Sequence, residues 1–163
     1  MKSIIALPIF LLHFHLHFQD GPMKVFENLM TSSWISEGEQ LGGFDGKTVY
    51  QFEWGLNGKI IHVKTFTTDP KTRKFGLRNE GIRAFNHSTS NLEFFEFDKT
   101  GGITTGIIIV DGKSLHYEYE YQEKTFRDSW IYVSKDKYQL IVGTWADGRW
   151  AQRFHETMIL RDN

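Results

Sequence analysis

Two runs of alternating polarity, 49–56 and 59–68, flank an Asn57-Gly58 pair, and no other stretch restricts the fold of this chain as strongly. Asn-Gly between alternating runs is a hairpin signal, because both residues tolerate the positive φ angles of a type I′ turn. In the first run Tyr50, Phe52, Trp54 and Leu56 fall on one face, and Gln51 and Glu53 on the other.

The rest of the chain repeats this unit. A short helical turn is expected over residues 25–30 and a first strand over 31–40, followed by turn chemistry at 41–46 (LGGFDG). After the opening hairpin comes the Asp69-Pro70-Lys71 turn, then strands over 75–85, Asn91–Asp98 and 103–110. Asp111-Gly112 repeats the hairpin signal before Ser114–Tyr121, where Leu115, Tyr117, Tyr119 and Tyr121 alternate with His116, Glu118 and Glu120. Strands over 126–134, 138–145 and Arg149–Arg161, with turns at 135–137 and Asp147-Gly148, complete the series. About ten strands joined by short hairpins form a meander whose two edges are exposed unless it closes. The expected fold is therefore all-β, an antiparallel up-and-down barrel, wide enough to leave a cavity. A two-sheet sandwich is the alternative, but its crossovers want longer connections.

Composition narrows the function. Nineteen basic against twenty acidic residues leave a net charge of -1, so there is no electrostatic footprint for nucleic acid and no polybasic run for a membrane surface. The absence of cysteine removes disulfides, thiolate catalysis and Cys-ligated zinc. Residues 1–19 carry an early Lys and an apolar core too short to span a bilayer, as in a secretory signal. The expectation is an exported, periplasmic or extracellular protein without a stable membrane anchor, with one barrel domain over 24–163. Translation from Met23 would instead leave the domain cytoplasmic. His13, His15 and His17 alternate, and would converge on a metal only if that segment were retained and ordered.

The layout resembles the calycin-like barrels, that is, lipocalins, fatty-acid-binding proteins and bacterial lipocalin-like proteins. The resemblance is carried by Trp34 with Ser36-Glu37-Gly38-Glu39, by Tyr50-Gln51-Phe52-Glu53-Trp54 and Leu56-Asn57-Gly58-Lys59, and by Glu80-Gly81-Ile82. Phe97 to Gly102 and Phe154-His155-Glu156 through Arg161 add to it. It implies a calycin-like fold and a small apolar or amphipathic ligand. Trp34 with Glu37-Gly38-Glu39 is also similar to the opening of the nitrobindin-type barrels, which would imply haem held by a histidine of the last strand, here His155.

Face assignment selects the candidate site. In the last strand Trp150, Phe154, Met158 and Leu160 share a face that should point inward, with Gln152 and Glu156, leaving Arg153 and His155 outside. Phe126, Trp130 and Tyr132 would carry Asp128 inward. Arg83 is its natural cationic partner if Phe75, Leu77, Asn79 and Arg83 face the interior. The opposite phase, with Ile82 and Ala84, would place Glu80 there. His62 shares the phase of Ile60 and Lys64, which suits a structural role. The expected ligand-binding set is Trp34, Trp54, Arg83, Tyr117, Tyr119, Asp128, Trp130, Phe154 and Glu156. Nucleophile, H-E-x-x-H and phosphate-loop motifs are missing, so no catalytic residue or metal ligand is expected. The expected activity is binding without chemistry. The rivals are haem binding and a barrel enzyme of isomerase or cyclase type, using Asp128 or Glu156 as base.

Overall fold

The computed structural model describes residues 21–30, 33–37, 47–69, 71–146 and 149–161, without the side chains of 150–153. The leader-like stretch 1–19, its three histidines and the turns expected at 41–46 and 147–148 lie outside the described residues.

Ten antiparallel strands close into one up-and-down barrel. They are β1 (Ser33–Glu37), β2 (Val49–Gly55), β3 (Ile60–Thr68), β4 (Phe75–Asn86), β5 (Asn91–Asp98), β6 (Ile103–Asp111), β7 (Ser114–Tyr121), β8 (Lys124–Ser134), β9 (Lys137–Ala146) and β10 (Arg149–Arg161). Each pairs with its sequence neighbours, and β1 closes the ring by pairing with β10 as well as β2. Closure satisfies both edges of the meander, as the hairpin rhythm predicts.

The opening hairpin differs from expectation at its tip. Gly55 pairs with Ile60, so the link is four residues, Leu56 to Lys59. Leu56, Asn57 and Gly58 all adopt left-handed angles, with φ of 46°, 53° and 81°. Leu56 is thereby turned out of the inward face and lies 71% exposed. The two-residue turns occur elsewhere. Gly112-Lys113 joins β6 to β7, and Gln122-Glu123 joins β7 to β8 with both central residues at positive φ.

One end of the barrel is sealed. A 3-10 helix over Pro22–Leu29 precedes β1 and buries Met23, Phe26 and Leu29. Their spacing of three matches the three residues per turn of this helix, so the three side chains stack on one face. Trp34 is fully buried and donates its indole N–H to the Leu29 carbonyl at 3.2 Å, tying the helix to the first strand. Edge-to-face contacts link Trp34 to Tyr138 at 5.0 Å and to Trp130 at 6.4 Å, and Phe52 to Trp130 at 5.5 Å. Hairpin connections alternate between the two ends of an up-and-down barrel. The turns after β3, β5 and β7 therefore ring the opposite end, the mouth. There Asp69, at the start of the link after β3, pairs with Lys99 in the turn after β5.

Three bulges reset the alternation, at Arg78 opposite Thr65 and Phe66, at Val133, and at Arg153. The first corrects the expectation that Phe75, Leu77, Asn79 and Arg83 share the inward face. Arg78 is the extra residue, so Phe75 and Leu77 turn outward, 55% and 46% exposed, while Arg83 is buried. The third shifts the register between Gln152 and Phe154, and the expected inward side chains of Trp150 and Gln152 lie outside the described residues.

Between β6 and β7 the ladder is incomplete. Pairing stops at Gly106 and Tyr119, although both strands run on toward the mouth, to Ile103 and Tyr121. A groove opens in the wall at this point, bordered by Ile103, Thr105, Glu120 and Tyr121.

Candidate functional site

Above the sealed end, toward the mouth, lies a cavity of about 410 Å³. Seven of the nine expected residues line it: Arg83, Tyr117, Tyr119, Asp128, Trp130, Phe154 and Glu156. The other two do not. Trp34 belongs to the sealed end beneath the cavity, and the half-buried Trp54 is outside the lining as well. Tyr50, Phe52 and Phe94 complete the aromatic wall, Asn79 lines the cavity on the same face as Arg83, and Arg78 and Glu96 add polar groups that alternation in the sequence did not single out.

The best-defined polar element is an ion pair. Arg83 on β4 donates through Nη2 to Glu96 Oε2 on β5 at 2.7 Å, with the two side chains 7% and 16% exposed. The guanidinium lies over the rings of Tyr117 and Phe94, at 5.2 and 5.5 Å from their centroids. Burial works against the Arg83 charge, but Tyr117 and Glu96 outweigh it and hold its pKa above the ordinary value. Gly81 makes the pair possible. It faces Glu96 across the β4–β5 ladder, and a Cβ there would lie 2.7 Å from both Arg83 Nη1 and Glu96 Oε2 and 2.4 Å from the Phe95 carbonyl. Gly106 plays a similar part between Phe94 and Tyr119, where a Cβ would meet the Phe94 ring at 2.8 Å and the Glu118 carbonyl oxygen at 2.0 Å.

Asp128 on β8 is the second polar centre. Its Oδ1 accepts the Tyr119 hydroxyl at 3.2 Å. Burial pushes its pKa up to about 7, with Glu96 adding to the rise, while the Tyr119 hydrogen bond and the Arg83 and Arg78 charges oppose it. Across the β7–β8 ladder its register partner is Tyr117, whose phenol is buried and pushed up by that burial. Tyr50 is raised too, by burial first and then by the Asp128 and Glu96 charges. Glu156 is buried on β10 and lines the same cavity, as its phase predicts.

The other charged candidates turn away from the interior. Arg127 pairs with Glu118 on the outer surface and lies 3.7 Å from the centre of the Trp145 ring. His155 is exposed on the outer face of β10, and His62 is paired between Glu53 and Ile82 on the outer face of β3. His116 shares a 2.8 Å hydrogen bond with Ser129, and burial lowers its pKa. No histidine of the described residues lines the cavity, and none of them forms a cluster of three or more acidic or histidine side chains able to hold a metal ion.

Sequence reasoning missed Glu96 for a definite reason. In β5, Leu92, Phe94 and Glu96 alternate with Glu93, Phe95 and Phe97, so both faces read as apolar. Arg78 was missed because its aim depends on a bulge. Tyr50 was legible, since it shares the face of Phe52.

Neither a protein-family model nor a curated protein matches this chain.

Proposed function

We propose that this barrel binds a small amphipathic molecule in its interior without transforming it, in the manner of the lipocalin-like proteins its sequence resembles. The observation that carries this reading is the cavity itself. At about 410 Å³ it falls in the range of small-molecule sites, and it combines an aromatic wall with a few convergent polar groups. A core built only for stability would fill this space, because empty volume and buried charge both cost free energy. The leader-like residues 1–19 support placing the binding outside the cytoplasm, and N-terminal sequencing of the protein from a periplasmic or culture fraction tests that placement.

Native mass spectrometry of the purified protein, beside its absorbance spectrum with and without haemin, tests the reading. A co-purified small mass, or saturable uptake of an apolar probe quenching Trp130, is the expected result. A ligand-free protein that takes up no probe overturns it. The haem alternative lacks geometric support, since His155 points away from the cavity. A stoichiometric Soret band lost in His155→Ala would restore it. One observation favours a second reading: Asp128, with a pKa near 7 and a Tyr119 hydroxyl on its carboxylate, is poised as a general acid or base. Turnover of an isomerase or cyclase substrate that disappears in Asp128→Asn would establish that reading.

A further inference from the structure

The placement of the charged groups around the cavity decides which kind of ligand it suits. Among the described residues, three carboxylates (Glu96, Asp128, Glu156) and two guanidiniums (Arg78, Arg83) line it. Arg83 is largely committed. Its Nη2 is bonded to Glu96, its Nη1 to the Ile82 carbonyl and its plane is held against two rings. A ligand carboxylate therefore has the Nε–H left to it, beside the Glu96 charge that already pairs with this guanidinium. Arg78 sits exposed on its bulge near the mouth, where water weakens its attraction for an anion. Asp128 is differently placed. Tyr119 occupies its Oδ1, and among the described residues none donates to Oδ2.

A second, independent feature stands beside it. The Tyr117 hydroxyl belongs to a side chain only 5% exposed, lines the cavity, and makes no hydrogen bond of normal geometry. Tyr117 and Asp128 are direct cross-strand partners on the inward face, which brings their Cβ atoms within about 5.5 Å. The phenol has the Arg83 guanidinium for a neighbour, and its acceptor oxygen beside a carboxylate with an open oxygen suits a donor-rich group. An ammonium brings three donors and no acceptor, and the electron-rich faces of Tyr and Trp rings attract the same charge.

We propose that the ligand is a small amine, its ammonium seated against the Asp128 carboxylate and the Tyr117 hydroxyl and its apolar body against Phe52, Phe94 and Trp130. This rests on the binding reading above and sharpens it. Recognition of a carboxylate leaves the open Asp128 oxygen unused, and a neutral alcohol brings it one donor where an ammonium brings three.

Isothermal titration of the full chain with two isosteric sets tests the proposal: octylamine, octanol and octanoate, then tryptamine, tryptophol and indole-3-acetate. Within at least one set the amine should bind about tenfold or more tighter than its alcohol and its acid. Asp128→Asn should erase that advantage while leaving alcohol affinity in place, which also shows that the variant is folded. Tyr117→Phe keeps the ring and should lower amine affinity by a smaller factor. An alcohol or acid that matches its amine in both sets overturns the inference and leaves the binding reading standing. An amine preference that survives Asp128→Asn overturns the assigned seat. If none of the six compounds binds, the inference and the binding reading fall together.

Discussion

Strands β8 and β5 lie on different walls of the barrel, and they use alternation in opposite senses. In β8 the inward positions Phe126 and Trp130 are buried and apolar and flank Asp128, while the outward Arg127 is held in an ion pair. In β5 the inward series ends in Glu96, while Phe95 and Phe97 face outward, 40% and 46% exposed. The neighbours of β5 follow it. Phe75 and Leu77 on β4 and Ile103, Ile107 and Ile109 on β6 all lie exposed. Both walls thus carry core residues and one carboxylate inward, and the second also keeps apolar residues on the outside. The difference lies in the outer faces and in how each inward carboxylate is held, Asp128 by the Tyr119 hydroxyl and Glu96 by Arg83, so substitutions in the two walls should act differently.

The largest expected effect lies at the sealed end. Trp34→Ala removes a fully buried ring and its hydrogen bond to Leu29, and should cost about 3–5 kcal/mol in urea unfolding. A loss under about 1 kcal/mol would mean that the 3-10 helix and its ring cluster do not anchor the barrel.

Next comes the ion pair of the other wall. Arg83→Met strands the Glu96 carboxylate and should cost about 3 kcal/mol, whereas adding Glu96→Leu should recover most of that loss. A double variant no more stable than the single would show that the guanidinium matters through its packing on Phe94 and Tyr117 instead.

A smaller, pH-dependent effect belongs to Asp128. Burial raises its folded pKa to about 7, above that of the unfolded chain, so between roughly pH 4 and 7 the folded state holds a proton that the unfolded state has released. Stability from this group therefore falls as pH rises through that window. Asp128→Asn should lose less stability than the parent between pH 5 and pH 8 in thermal unfolding. Parallel profiles would place Asp128 in contact with water.

The smallest change is expected on the outer wall. Phe97→Ser should alter stability by only about 0.5 kcal/mol, because its ring is already half in water. A loss several times larger, seen in the same urea titration, would show that the outer wall is packed against something in solution.

Much of this contrast was written in the alternation, and the exceptions have physical causes. The run Leu115 to Tyr121 could be read directly, because one face is aromatic and the other charged; the same holds for Asp128 and Glu156, whose neighbours fix the phase. Trp34 could be read as buried but not as lying below the cavity, since depth along the barrel axis depends on how far the strands are staggered. The inward turn of Arg83 and the outward turn of Phe75 both depend on the extra residue at Arg78, and a bulge leaves no period in the sequence. Glu96 could not be placed because apolar residues occupy both faces of its strand. In that wall, hydrophobicity alone does not say which side is inside.

The incomplete ladder between β6 and β7 bears on the mechanics of the mouth. In a fully paired barrel the girth is set by strand number and stagger, and widening it means breaking hydrogen bonds. Here the last rungs beyond Gly106 and Tyr119 are absent, so the rim has the form of a split collar at this seam. Parting Ile103 to Thr105 from Glu120 and Tyr121 breaks no rung of this seam. Tyr119, the last paired residue, also holds Asp128. The seam that gives way at the rim therefore ends on the side chain that orients the carboxylate within.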